Sequence, residues 1–225
     1  MAKLNKNFRR KYAVLIIYTV IFYGIWTAWE FYFKPWLDTI IENEYAAQFI
    51  KSGVIKNLIW TLPAILIIKY FETDLYIGLR EMFTTKVKWL KYFPIFLLFT
   101  VYLLAGVLIQ NGKITVSESF IGSSLIIVLF VGITEETVFR GWLLNSTVGE
   151  KRKLLPVTIN ALMFLVIHFP NWIYSGSFID NFKNMSFFSV IILNFIFSYT
   201  FIKSQNILVP IFLHMYWDLL MFLFY

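Results

Sequence analysis

The order of apolar and polar positions divides the chain into apolar stretches separated by short polar segments: Tyr12 to Phe33, Gly53 to Phe71, Tyr92 to Gln110, Phe120 to Leu144, Leu154 to Phe169, Met185 to Ile202 and Ile207 to Tyr225. Each approaches the roughly 20 residues with which a helix crosses the hydrocarbon of a bilayer, the fifth being short. Runs this continuous satisfy their backbone in lipid only as helices. The pattern therefore predicts an all-α, polytopic membrane bundle of about seven transmembrane helices. The polar segment after the second stretch, Glu72 to Lys91, mixes Leu75, Leu79, Met82 and Phe83 with Lys and Arg, and predicts a helix lying in the membrane interface.

Composition narrows the class. Of 225 residues, 59% are hydrophobic and 15% charged, whereas the surface of a soluble domain needs roughly a quarter charged residues. The 25 Phe, 13 Tyr and 8 Trp exclude a disordered chain. The absence of cysteine excludes disulfides, thiolate metal sites and a cysteine nucleophile. A net charge of +7 would suggest nucleic acid in a soluble protein. In a membrane protein the position of the charges decides.

With the N-terminus cytoplasmic, the inner segments hold Lys3, Lys6, Arg9, Arg10, Lys11, Lys69, Arg80, Lys86, Lys88, Lys91, Lys151, Arg152, Lys153 and Lys203. The outer ones hold only Lys34, Lys51, Lys113 and Lys183. The positive-inside rule thus predicts a multi-pass cell-membrane protein, N-terminus inside and C-terminus outside, whose partner is the lipid bilayer and not nucleic acid. No small-x-small cleavage site follows Trp26 to Phe33, so the first stretch reads as a signal anchor. No linker, repeat or low-complexity block divides the chain. Residues 1–225 read as one membrane domain, with 1–119 less specific and 120–225 bearing the candidate chemistry.

Ionisable groups retained in hydrocarbon are candidates for function. The fourth stretch carries GITEETVFRGWLL, in which Glu136 and Arg140 stand one turn apart and can pair, whereas the i+4 neighbour of Glu135 is Phe139. Both histidines of the chain lie in apolar stretches, and His214 stands one turn before Asp218, which can accept from one ring nitrogen and fix the tautomer. The midpoint between Glu135 and His168 falls in Lys151 to Lys153, so a hairpin would hold the two level, roughly 18 Å from its tip at 1.5 Å per residue. From a turn at Lys203 to Asn206, His214 would lie about 11 Å and Asp218 about 17 Å deep.

An acid, two imidazoles and a second acid in a low-dielectric pocket suit amide hydrolysis without a protein nucleophile. A carboxylate can act as general base toward water, one imidazole can share that water or protonate the leaving amine, and another can donate to the oxyanion. No Ser-His pair stands out. Zinc is the rival use of the same atoms, with His168, His214 and Glu135 as ligands, although the HExxH spacing is absent.

EETVFR matches an EExxxR motif, FLVIH (Phe164 to His168) matches FxxxH, and HMYWD (His214 to Asp218) is similar to HxxxN/D. In this order, and all in apolar stretches, they resemble the CPBP family of CAAX-processing and bacteriocin-processing intramembrane peptidases, also grouped as Abi proteins. The resemblance covers about Phe120 to Tyr225. It implies that Glu135 and His168 activate water, that His214 with Asp218 supports the oxyanion, and that Glu136 and Arg140 are structural or assisting. It also implies a glutamate-dependent enzyme without a cofactor. Where eukaryotic prenyl-protein endopeptidases have Asn, this chain has Asp218, which as an anion cannot donate to an oxyanion and so either orients His214 or is itself protonated.

Plainer readings stand beside these. Glu136 and Arg140 form a packing clamp, and the aromatics, Trp36, Trp89 and Trp172 included, form lipid-facing and interfacial belts. Glu30 and Lys56 sit near a helix end, where snorkelling suffices. The favoured function is an intramembrane endopeptidase acting on a membrane peptide or protein, such as a leader, bacteriocin or pheromone precursor. The alternative is a non-catalytic immunity factor or small transporter that keeps the polar cluster for binding. Neither an inverted repeat nor a broken helix favours the transporter.

Overall fold

The computed structural model describes residues 2–149 and 153–225. Among them are nine helices and no strand. Helix α1 comprises Ala2–Ala28, a π-helical turn Trp29–Phe33 and Lys34–Ile40. The others are α2 (Glu44–Tyr70), α3 (Leu79–Thr84), α4 (Phe93–Asn111), α5 (Ser124–Glu136, continued by the π-helical Thr137–Leu144), α6 (Leu154–Tyr174), α7 (Phe178–Lys183), α8 (Ser186–Ser204) and α9 (Leu208–Phe224). Seven long helices thus occupy the predicted apolar stretches.

Local chemistry sets their ends. The Asn43 side chain caps α2 by accepting from the Ala46 N–H at 2.9 Å. A proline in its first turn opens α4, and Gly112 closes it in the left-handed region at φ 71°. The fifth stretch proves longer than its apolar core, because the helix carries Pro170 within it and runs on to Tyr174.

Five helices are long and apolar enough to cross a membrane: α1 over Arg9–Ile40, α2, α4, α6 and α8. Helix α9, with 17 residues, is shorter, and α5 gathers Glu135, Glu136 and Arg140 into one stretch. The exception has a physical reason. Every residue of Thr137–Leu144 is buried in protein, so this half of α5 faces neighbouring helices and not lipid. Around it lies the larger apolar core, with Phe22, Trp26, Trp60, Phe139, Trp142 and Phe164. A second core joins Phe99 and Leu103 of α4 to Phe197 of α8 and Leu213 of α9.

Helix α9 packs against α4, α5 and α8, and α8 against α6. Gly132 makes the α5 contact close. A Cβ there would lie 2.7 Å from Met215 Cγ and 3.2 Å from the Ile211 carbonyl oxygen. Gly132→Leu is expected to destabilise the protein by about 1–3 kcal/mol through overpacking, read as a lowered melting temperature in detergent. An unchanged melting temperature would contradict this contact.

Several sequence expectations need correction. The Glu72 to Lys91 segment is not one continuous helix. It forms two short 3₁₀ turns and the six-residue α3, with Ile77 and Met82 buried against the bundle and Phe83, Trp89 and Leu90 exposed. The Asn145 side chain holds it, accepting from the Ile77 N–H at 2.9 Å and donating to the Ile77 carbonyl at 2.8 Å. Trp36 and Trp89 are exposed as belt residues should be, but Trp172 is buried. Glu30 does not snorkel: it is buried and paired with Lys34 at 2.8 Å, while Lys56 lies over the Trp26 ring and within electrostatic reach of Glu30 and Glu135. Lys151 and Arg152, placed at the α5 to α6 hairpin tip, lie outside the described residues.

Candidate active site

Helix α5 presents two acids in succession, and its geometry sends them to different partners. Glu136 is fully buried, and its Oε1 accepts from Arg140 Nη1 at 3.0 Å and from His214 Nδ1 at 2.8 Å. The expected Glu136–Arg140 pair forms, and it also reaches across to α9. Arg140, likewise fully buried, has its guanidinium over the rings of Phe164 and Phe197, 4.8 and 5.3 Å from their centroids. Its Nη2 also donates to the Asn194 carbonyl at 3.5 Å. A cation removed from water is thus met by one carboxylate, one carbonyl and two π faces.

Glu135 has no partner on its own helix but faces His214 across the α5–α9 contact, with Oε2 3.9 Å from Nε2. Asp218 Oδ2 lies 3.6 Å from that same nitrogen. Ring orientation therefore differs from the sequence expectation. Glu136, not Asp218, holds the Nδ1–H of His214 and fixes the ring, leaving Nε2 between Glu135 and Asp218. Phe197 stacks on the imidazole at 4.9 Å, which sets the ring plane.

His168 projects from α6 one turn after Phe164, and its Nδ1 lies 2.7 Å from the Phe164 carbonyl. A carbonyl only accepts, so Nδ1 carries the proton and Nε2 is the free nitrogen. The Phe164 ring separates the two histidines, 5.2 Å from the His168 ring and 5.9 Å from that of His214. His168 lies within electrostatic reach of both His214 and Asp218. Unlike Glu135, His214 and Asp218, His168 lines a groove of about 1230 Å³ between α4, α8 and α9. The structure therefore brings Glu135, Glu136, Arg140, His214 and Asp218 into one network, with His168 beside it at the groove.

Counting only ionisable groups misses residues that hold this network. Asn160 donates to the Phe139 carbonyl at 3.0 Å, Asn194 donates to Asn160 Oδ1 at 3.3 Å, and Ser198 donates to Asn194 Oδ1 at 3.2 Å. This chain ties α5, α6 and α8 together beneath Arg140. The signal was present as buried-type amides in apolar stretches, with Asn160, Phe164 and His168 at successive helical turns. The π-helical run is a second missed feature. Its wider turn, with the Asn145 N–H reaching the Arg140 carbonyl at 3.2 Å, is of a kind concentrated at functional sites.

Zinc was the rival use of Glu135, His168 and His214. Among the described residues no group of three or more His, Asp or Glu side chains is placed as metal ligands are, and no step is derived through a metal.

No curated protein and no solved structure matches the chain. Residues 117–220, which carry every member of this network, match the family model described as type II CAAX prenyl endopeptidase Rce1-like, the CAAX-protease grouping to which EETVFR, FLVIH and HMYWD pointed.

Proposed function

We propose that this multi-pass membrane protein is an intramembrane endopeptidase that hydrolyses a peptide bond of a membrane-associated peptide or protein with water activated by Glu135. One observation carries the reading: a mostly buried carboxylate, Glu135, faces His214 Nε2 at 3.9 Å while a separate, fully buried carboxylate holds the opposite edge of that ring. The distance suits one bridging water, since a molecule about 2.8 Å from each atom would subtend an angle near 90°.

In this reading Glu135 takes a proton from the water as its oxygen adds to the scissile carbonyl. The oxyanion forms near the imidazole of His214, which Glu136 keeps in one orientation. Collapse breaks the C–N bond, and the proton held by Glu135 passes to the leaving amine, with His168 Nε2 as a partner for that transfer. Asp218 balances charge at His214 Nε2 and does not donate to the oxyanion. Glu136 and Arg140 position His214. The distribution of Lys and Arg supports a cytoplasmic N-terminus and a C-terminus outside. Leaders and precursors of secreted peptides are the substrate class suited to that setting.

The test is a mass-spectrometric comparison of membrane peptides from cells carrying the native chain and cells carrying Glu135→Gln at matched expression. The expected result is a set of paired fragments, each pair summing to one precursor, found only with the native chain. Identical peptide profiles would remove the peptidase reading in favour of a binding role.

A further inference from the structure

We infer that the groove beside His168 is the substrate cleft and that it takes an uncharged segment of about five or six residues in extended form, with one large apolar side chain. The inference rests on the peptidase reading and adds the chemical class of substrate to it.

Size is the first argument. At about 1230 Å³ the groove exceeds the range of roughly 300–1,000 Å³ in which small molecules are held. Along α4 it runs from Leu98 to Gln110, about 18 Å of helix, or five to six residues of extended chain.

Its walls differ in kind. The α4 side is apolar apart from Tyr102 and Gln110, whereas the opposite side carries His168, Asn181, Asn184, Ser186 and Ser189. The side chains of Asn184, Ser186 and Ser189 make no hydrogen bond among the described residues, and Asn181 spends its amide N–H groups on Ser177 and keeps Oδ1 free. An extended peptide at membrane depth must find partners for its N–H and C=O groups, and a ladder of amides and hydroxyls supplies them. A helical segment, with its backbone satisfied internally, would gain nothing from that wall.

Charge is the third argument. Among the described residues no Asp, Glu, Lys or Arg lines the groove, so a charged substrate side chain would be desolvated without a counter-ion. A side pocket of about 340 Å³ shares Leu98, Tyr102, Ser189, Leu193 and Trp217 with the groove and is otherwise lined by apolar residues such as Phe99 and Ile192. It accommodates one aromatic or branched aliphatic side chain. His168, which lines the groove, is within electrostatic reach of His214 and Asp218, so a peptide resting on His168 comes to the edge of the acid and imidazole network. Gln110, Asn184 and Tyr225 place one mouth of the groove at the end of the bundle remote from Lys91 and Lys203.

The full-length chain carrying Glu135→Gln, in detergent micelles, provides a test by fluorescence anisotropy that does not depend on turnover. The probes are a labelled hexapeptide of Ser, Ala and Asn with one Phe, and the same peptide with Asp or Lys at a central position. The neutral probe is expected to bind, and a central charge or Ser189→Trp in the groove wall to weaken binding about tenfold or more. Asn184→Trp, at an exposed position, serves as a second block should Ser189→Trp lower the melting temperature. Binding of the neutral and charged probes alike, or binding unaffected by either tryptophan, would overturn the cleft. If the neutral probe binds as described but the chain with Glu135 intact never cleaves it, the cleft stands and the peptidase reading falls.

Discussion

Glu135→Gln is expected to lower the rate of peptide cleavage by the purified chain by about 10²–10⁴-fold, the range supplied by a positioned general base. Its melting temperature should stay within about 2 °C of the native value, because among the described residues no hydrogen bond ties Glu135 into the network and its contact with His214 is a separation of 3.9 Å. The asymmetry follows from what each oxygen touches. Glu135 Oε2 stands off from His214 Nε2 at 3.9 Å, and Glu135 keeps 12% of its side chain exposed, so an isosteric amide removes basicity and little else. At Glu136 the same change should act in the opposite sense. Its Oε1 joins Arg140 to His214, and a neutral amide there weakens two charge-assisted hydrogen bonds in a fully buried setting. Adjacent glutamates therefore give opposite signatures, one kinetic and one structural. Parallel cleavage assays and thermal melts of the two variants decide it. Loss of stability with Glu135→Gln, or full activity in it, would contradict the assignment.

Much of this arrangement was legible in the residues. Continuous apolar runs located the long helices, because lipid permits no other backbone solution for them. The i, i+4 spacing of Glu136 and Arg140 anticipated their pair, and the order of EETVFR, FLVIH and HMYWD anticipated the matched family. What could not be read is which of several nearby acids an imidazole selects. Asp218 is one turn from His214 in sequence, yet Glu136 wins its Nδ1 from another helix, since rotation about α9 is set by Gly132 packing against Met215 and by Phe197 stacking on the ring. The role of Phe164 was hidden for the same reason. Its ring covers Arg140 and spaces the two histidines, which only the meeting of α5, α6 and α9 reveals. Glu30 and Lys56 escaped because position near the end of an apolar stretch says nothing about the neighbouring helices that bury Glu30 and set Trp26 beneath Lys56.

Arg140→Met should produce the largest loss of stability, about 3–5 kcal/mol, as expected when one partner of a buried ion pair is removed. Against a total of about 5–15 kcal/mol this brings much of the population to the edge of unfolding. Methionine fills a similar volume and keeps the contacts with Phe164 and Phe197, so the loss reports chiefly on the carboxylate of Glu136 left with only the Nδ1–H of His214. The control is Glu136→Gln combined with Arg140→Met, which removes both charges. It should recover about 1–3 kcal/mol relative to the sum of the single variants, the size of coupling found between residues in one ion-pair network. Denaturant titration of the native chain, the two single variants and the double variant in the same detergent measures that coupling, and strict additivity would show that the pair is no clamp. Cleavage separates stability from chemistry. The double variant retains Glu135, His168 and Asp218, but its His214 has lost the anionic acceptor that fixed the ring, so its activity should stay depressed even where its stability returns. Recovery of both together would mean that orientation of His214 does not depend on Glu136.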